Sequence, residues 1–160
     1  MIVKKAHAYQ TELHWNAHDG DGTTSYRSYS RNHSLRSGDK AIIEGSSDPA
    51  FRGDASRYNP EELLVLSLSS CHMLWYLHLC SVNGIVVTEY RDEASGEMAE
   101  NADGSGQFAK VVLRPVVTLR AGSDEGKARE LHHQAHEMCF IARSVNFPVE
   151  CHPGHVEGRP

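Results

Sequence analysis

The rhythm of hydrophobic and polar positions changes along the chain, and each change marks an element. From Asn59 to Gly84 (NPEELLVLSLSSCHMLWYLHLCSVNG) apolar side chains fall on nearly every side of a helical wheel. Asn59 can cap this helix, and Pro60 falls at its first position, where the missing N–H costs nothing. Glu61 and Glu62 complement the positive end of the helix dipole, and Asn83-Gly84 is a stop signal. Upstream the period is closer to two. Ala6–Trp15 predicts a strand, His18-Asp19-Gly20-Asp21-Gly22 a turn, and Thr23–Leu35 a second strand. Ser37-Gly38-Asp39-Lys40 then predicts a turn, Ala41–Glu44 a short third strand, and Ser46–Tyr58 a loop. Downstream, Ile85–Met98 begins strand-like, Asn101–Gly106 reads as a hairpin turn, and Phe108–Leu119 returns as a strand. Pro115 inside it implies an edge or a bulge. Ser123-Asp124-Glu125 starts a second helix with the stripe Ala128, Leu131, Ala135, Met138, Ala142. Asn146–Glu150 is a last short strand, and the polar tail from Pro153 is expected to be loose.

Strand runs followed by helices, without regular alternation, predict an α+β fold with antiparallel sheets around a long central helix, one domain over 1–160. A chain of 160 residues has too few layers to cover an all-apolar helix on every side, which predicts a homodimer with that helix between the subunits. The run Leu63–Cys80 approaches membrane-spanning length, but Ser67, Ser69, Ser70, His72 and His78 interrupt it, and a buried soluble helix is expected instead. Composition adds little to this: 39% hydrophobic and 23% charged residues are ordinary for a globular domain. A net charge of -5 with no Lys/Arg run gives no reason to expect nucleic acid. The opening MIVKKAHAYQTEL lacks the apolar run of a secretory signal, so the expected compartment is the cytosol, where the four cysteines would stay reduced.

Two of those cysteines carry the candidate chemistry. Cys71 sits in the middle of the apolar helix, where the helix dipole gives a thiolate little help. It is either a small buried hydrophobe or a nucleophile assisted by a cation from elsewhere. His132, His136 and Cys139 recur on one face of the second helix, and His72 and His78 flank Cys71, which raises a zinc site. No CxxC or HExxH supports it, and the reading adopted is no metal and no cofactor. Cys80 faces away from Cys71 as a packing residue, and Cys151 has no motif around it and reads as structural or incidental.

The stretch NPEELLVLSLSSC, with Cys71 ten residues after Glu61, resembles the signature of the OsmC/Ohr family of organic hydroperoxide reductases. Ala135-His136-Glu137-Met138-Cys139 is similar to that family's second signature, and Arg31 best fits its early-strand arginine, with Arg27 as runner-up. Phe140 stands where the family usually has proline, and the stretch SSDPAFRGDASRY lacks a Gly-rich loop, which points to a distinct OsmC-like subgroup. The resemblance implies an intertwined homodimer with active sites at the interface. It implies a peroxidase in which Arg31 activates Cys71 and is held by Glu61. Cys71 is oxidised to a sulfenic acid, Cys139 closes a disulfide, and an external dithiol (a lipoyl protein or thioredoxin) restores the enzyme. Ten helical residues rise about 15 Å, so Glu61 is expected to serve the partner's Cys71. Along the Cys71 face, Leu68, Leu74, Trp75 and His78 form the expected lining for an organic substrate. The alternative is an OsmC-like protein that binds a small ligand or a metal at the same pocket without peroxidase activity.

Overall fold

The computed structural model describes residues 5–17 and 20–157; His18 and Asp19 of the first turn lie outside the described residues, as do Met1–Lys4 and Gly158–Pro160. It contains two compact units, 1–63 and 64–160, with the division falling inside a continuous helix. In the first unit, three short strands form an antiparallel sheet in the order β1 (Glu12–His14), β2 (His33–Arg36), β3 (Ile43–Gly45). These strands are much shorter than the sequence suggests. Residues 20–30 are bends and turns rather than a strand, because serine hydroxyls there compete for the backbone. Ser28 Oγ donates to Gly22 O at 2.7 Å and accepts from Ser25 N at 3.0 Å. The loop before the long helix contains a 3-10 turn, Pro49–Phe51, whose first free N–H (Ala50) is taken by the Asp48 carboxylate at 2.7 Å. A Cβ on Gly53 would lie 1.5 Å from Ser47 O, so only glycine fits there.

Helix α1 runs from Pro60 to Val82. Its start is a reciprocal capping box: Glu62 N donates to Asn59 Oδ1 at 2.7 Å, and Asn59 N donates to Glu62 Oε2 at 3.1 Å. Its end is Gly84 at φ 72°, with Ile85 N bonded back to Cys80 O at 2.9 Å. The fully buried stripe of α1 is Leu68, His72, Tyr76 and Cys80, one residue per turn. One chain leaves the rest largely uncovered, as the shortage of layers predicts. Only 22% of its most apolar 18-residue stretch is buried within one chain, and Leu66, Leu74 and Val82 are more than half exposed.

The second unit adds two three-stranded sheets, β4-β7-β9 and β5-β6-β8. The stretches read as single strands each break and change sheet. Ile85–Met98 becomes β4 (Val87–Asp92) and β5 (Ser95–Glu100), and Phe108–Leu119 becomes β6 (Gly106–Leu113) and β7 (Pro115–Leu119). Pro115, which cannot donate to a ladder, stands at the change. Asp92 pins the corner: Oδ1 accepts from Arg114 N at 2.7 Å and Oδ2 from Ser69 Oγ of α1 at 2.5 Å. The sheets are mixed rather than antiparallel. β8 (Val149–Cys151) runs parallel to β6, and β9 (Gly154–Glu157) runs parallel to β7. Within the polar tail, Gly154–Glu157 is therefore an ordered strand.

Helix α2 (Glu125–Met138) is capped by Asp124, whose carboxylate accepts from Lys127 N at 2.9 Å. Ala128, Leu131 and Ala135 of its predicted stripe are buried; Met138 is 45% exposed and Ala142 lies in a later 3-10 turn. One core cluster joins the C-terminal half of α1 (Tyr76, Cys80) to Val117 and Leu119 of β7 and the α2 stripe. A second joins Leu68 to Val111 and Leu113 of β6.

Candidate functional site

Cys71 lies on the flank of α1 next to the buried stripe, about 100° round from His72, and is half-buried. Cys139 is the C-cap residue of α2, only 1% exposed. The structure brings them close enough for the Cys71 thiol to bear on the protonation of Cys139, with both thiols free. Burial pushes the Cys139 thiol up to about 11, and the neighbouring Cys71 thiol adds to the rise. Ala142 N donates to Cys139 Sγ at 3.4 Å, a partial offset. Cys139 is therefore held as a protonated thiol beside a more accessible Cys71.

Phe140, in the usual proline position, is 64% exposed and packs edge-on to Trp75, with ring centroids 5.7 Å apart. Trp75 in turn meets His78 edge-on at 5.9 Å. Leu74, Trp75 and His78 line an open cavity of about 300 Å³ on the helix face one to two turns beyond Cys71. Three of the four expected lining residues thus meet at one cavity. Leu68 does not: it is fully buried in the second core cluster, against Val111 and Leu113. A helix apolar on every side gives no periodicity from which to choose its buried face, so the sequence could not separate Leu68 from Leu74.

Arg31 belongs to the first unit. Its guanidinium donates to Tyr29 O at 2.6 Å and Tyr26 O at 2.8 Å, and lies over both rings, 3.9 Å and 4.6 Å from their centroids. Arg27 is exposed. Glu61 makes no ion pair with Arg31 among the described residues; its Oε2 is buried without a hydrogen-bond partner.

The structure also assembles a group that the sequence reading missed. His72 Nε2 lies 3.1 Å from His132 Nδ1 and 3.5 Å from Cys151 Sγ. The two histidine rings lie nearly coplanar and edge to edge, with centroids 5.4 Å apart, while His132 stacks on Tyr76 at 3.8 Å. Burial drives both histidines toward the neutral form, His72 to about 4 and His132 to about 3; His136 adds to the shift of His72 and Asp92 opposes it, while His72, His155 and Arg129 add to that of His132. Burial raises the Cys151 thiol to about 12. Zinc reasoning from the sequence named His132, His136 and Cys139 together with His72 and His78; the cluster keeps His72 and His132 and takes its third residue, Cys151, from β8. No local spacing could reveal it.

Comparisons with known proteins agree with this architecture. Residues 53–152 match the family model described as OsmC-like protein. No curated protein sequence matches the chain. Among solved structures, an OsmC-like protein of unknown function from Vibrio cholerae is 32% identical, with a TM-score of 0.85 over 92% of this chain and 99% of that one. An organic hydroperoxide resistance protein from Elizabethkingia anophelis is 16% identical, with a TM-score of 0.70 over 98% of this chain and 100% of that one. Another from Legionella pneumophila is also 16% identical, with a TM-score of 0.69 over 95% of this chain and 98% of that one. With one family pattern running through most of the chain and a 32%-identical structure following it almost end to end, the protein belongs to the OsmC-like family.

Proposed function

We propose that the protein is a thiol-dependent peroxidase that reduces organic hydroperoxides to alcohols, working as a homodimer. The observation that carries this reading is the proximity of two free thiols of unlike exposure, half-buried Cys71 and buried Cys139. The Cys71 thiolate attacks the terminal peroxide oxygen. The O–O bond breaks, the alkoxide takes a proton and leaves as the alcohol, and Cys71 becomes a sulfenic acid. The Cys139 sulfur then attacks the sulfenic sulfur; its proton leaves with the hydroxyl as water, and a Cys71–Cys139 disulfide forms. A lipoyl or thioredoxin-like dithiol returns both sulfurs to thiols. Holding Cys139 protonated until that step limits its own reaction with the oxidant, because the thiolate is the reactive form.

Arg31 is the cation for the Cys71 thiolate and the peroxide. Two carbonyls and two tyrosine faces fix its plane, and the guanidinium has further N–H donors to offer. Glu61, with a buried carboxylate oxygen lacking a partner in its own chain, pairs with Arg31 across the dimer; an unpaired buried carboxylate is costly. The uncovered apolar side of α1 supports the same dimer. The Leu74–Trp75–His78 cavity, with Phe140 against Trp75, suits an organic peroxide better than hydrogen peroxide. Two of the structurally similar proteins are named organic hydroperoxide resistance proteins.

The test is a thiol count after one equivalent of cumene hydroperoxide is added to the reduced protein. Loss of two thiols, mapped by peptide analysis to Cys71 and Cys139, is the expected outcome. Cys139→Ser should instead accumulate a trappable Cys71 sulfenate. Four free thiols after treatment with cumene, tert-butyl and fatty-acid hydroperoxides would end the peroxidase reading.

A further inference from the structure

We propose that His72, His132 and Cys151 form a buried binding site for a divalent transition-metal ion of the zinc type, held by two imidazole nitrogens and one thiolate. The site is separate from the Cys71–Cys139 pair and independent of the peroxidase reading. Its donors come from three elements of the second unit: α1, α2 and β8.

The donor spacing is close to what the ion needs. Tetrahedral coordination with zinc–nitrogen and zinc–sulfur bonds of ordinary length puts two nitrogens about 3.4 Å apart and nitrogen and sulfur about 3.6 Å apart. His72 Nε2 is 3.1 Å from His132 Nδ1 and 3.5 Å from Cys151 Sγ, and all three donor atoms lie within 4.8 Å of one another. The surroundings fit as well. His72 is 1% and His132 3% exposed, so water does not compete for the donors. Both rings have one nitrogen turned into the cluster and one, His72 Nδ1 and His132 Nε2, with no protein partner. In the metal-free chain the 3.1 Å contact is a hydrogen bond, so one inner nitrogen carries a proton; the ion takes that proton's place, the proton moves to the ring's outer nitrogen, and the rings turn so that both inner lone pairs converge on the metal. Imidazole and thiolate together select zinc-like ions over magnesium or calcium.

The charge also closes. The ion brings two positive charges, and binding expels the Cys151 proton to solvent and leaves a thiolate. Asp92, within electrostatic reach of both His72 and Cys151, supplies the second negative charge. Its carboxylate is held in place by Ser69 Oγ and Arg114 N, in the manner of an outer-shell group. Three protein ligands leave one coordination position open. The cluster uses Cys151, so the ion and the Cys71–Cys139 pair can coexist. An ion at His72 would fix the turn of α1 that carries Cys71 relative to α2 and β8.

Cobalt(II) is the probe. The reduced chain is titrated with Co²⁺ both in the folded state and during refolding from denaturant, since the donors are buried. One equivalent should give tetrahedral d–d bands and a thiolate-to-cobalt charge-transfer band whose intensity corresponds to one sulfur. The spectrum should persist in the Cys71→Ser/Cys139→Ser double variant, lose its charge-transfer band in Cys151→Ser, and vanish when excess Zn²⁺ displaces the cobalt. Absence of these bands from the wild-type protein under both loading conditions overturns the proposal. So does an intensity of two sulfurs that the double variant abolishes, which would assign the ion to the redox cysteines. Both readings come from chains with Cys151 intact, so they hold even if Cys151→Ser does not fold.

Discussion

Leu68 and Leu74 are two turns' worth of the same apolar helix, yet the structure gives them opposite tasks, and truncating each to alanine separates the two. Leu68 is fully buried against Val111 and Leu113. Removing its branched end forfeits the transfer energy of the lost carbons and leaves a cavity in that cluster. Leu→Ala at such sites costs about 3 kcal/mol, which for a chain of this length lowers Tm by roughly 6–12 °C. Leu74 is 61% exposed and lines the open cavity beside Trp75 and His78. Leu74→Ala should cost under about 0.5 kcal/mol of stability in the monomeric unit. Its effect should fall instead on KM for a bulky hydroperoxide such as cumene hydroperoxide, with a smaller change for tert-butyl hydroperoxide. Urea denaturation of reduced protein gives the first quantity, and peroxide consumption in the presence of excess dithiol gives the second. If Leu68→Ala melted within about 0.5 kcal/mol of wild type while raising KM, Leu68 would be a pocket residue after all and the core assignment would be wrong.

Three further predictions rest on single features. Because His72 and His132 are held neutral in the fold, at about 4 and about 3, while unfolded histidine titrates near 6.5, the unfolded state binds more protons below that pH. Chelator-treated protein should therefore lose stability as pH falls from 6.5 toward 4, His72 alone accounting for about 3 kcal/mol, and His72→Gln should flatten that part of the urea-midpoint profile. Asp92→Ala removes two charge-assisted hydrogen bonds at the corner where the chain changes sheets and should cost about 3 kcal/mol; Asp92→Asn, which can still bond both partners, should restore most of it, and equal losses in the two variants would refute the hydrogen-bond account. Sedimentation velocity should find a dimer at micromolar concentration, and Leu66→Glu on the exposed side of α1 should shift it to monomer; an unaltered dimer would move the interface elsewhere.

Signals that act within a few residues were readable from the chain. Asn59, Pro60, Glu62 and Gly84 bound α1 by local hydrogen bonding and backbone freedom, and Asp124 starts α2 in the same way. The turn at Asn101–Gly106 is local too: Ser105 N and Oγ both bond Asp103 Oδ1. What escaped is everything decided by distant partners. Val149–Cys151 overlaps the predicted last strand Asn146–Glu150, but its parallel pairing with β6 was not readable; Gly154–Glu157 is a strand because β7 presents an open edge to it, and it lacks the length or alternation to announce itself. The alternating tyrosines near Tyr26 and Tyr29 suggest a strand, but their rings serve the Arg31 guanidinium instead. The Cys71–Cys139 proximity was foreseen through family resemblance and not through spacing. Of the His72–His132–Cys151 group the zinc alternative named both histidines, but their meeting with Cys151, from positions 60 or more apart for each histidine contact, had no spacing in the sequence to follow.

The corner at Asp92 and Arg114 has a consequence for how this unit comes apart. Two neighbouring segments leave one sheet and enter the other there, with Asp92 opposite Pro115 at the end of the β4–β7 register and Ser95 opposite Val112 in the β5–β6 register. The crossing segments are thus shared, and fraying of either sheet loads the same short joint and the same hydrogen bonds to α1. The two small sheets should behave as one cooperative opening unit. In native-state hydrogen exchange, the amides of Val111 and Val117 should therefore report a common opening free energy, although they belong to separate ladders.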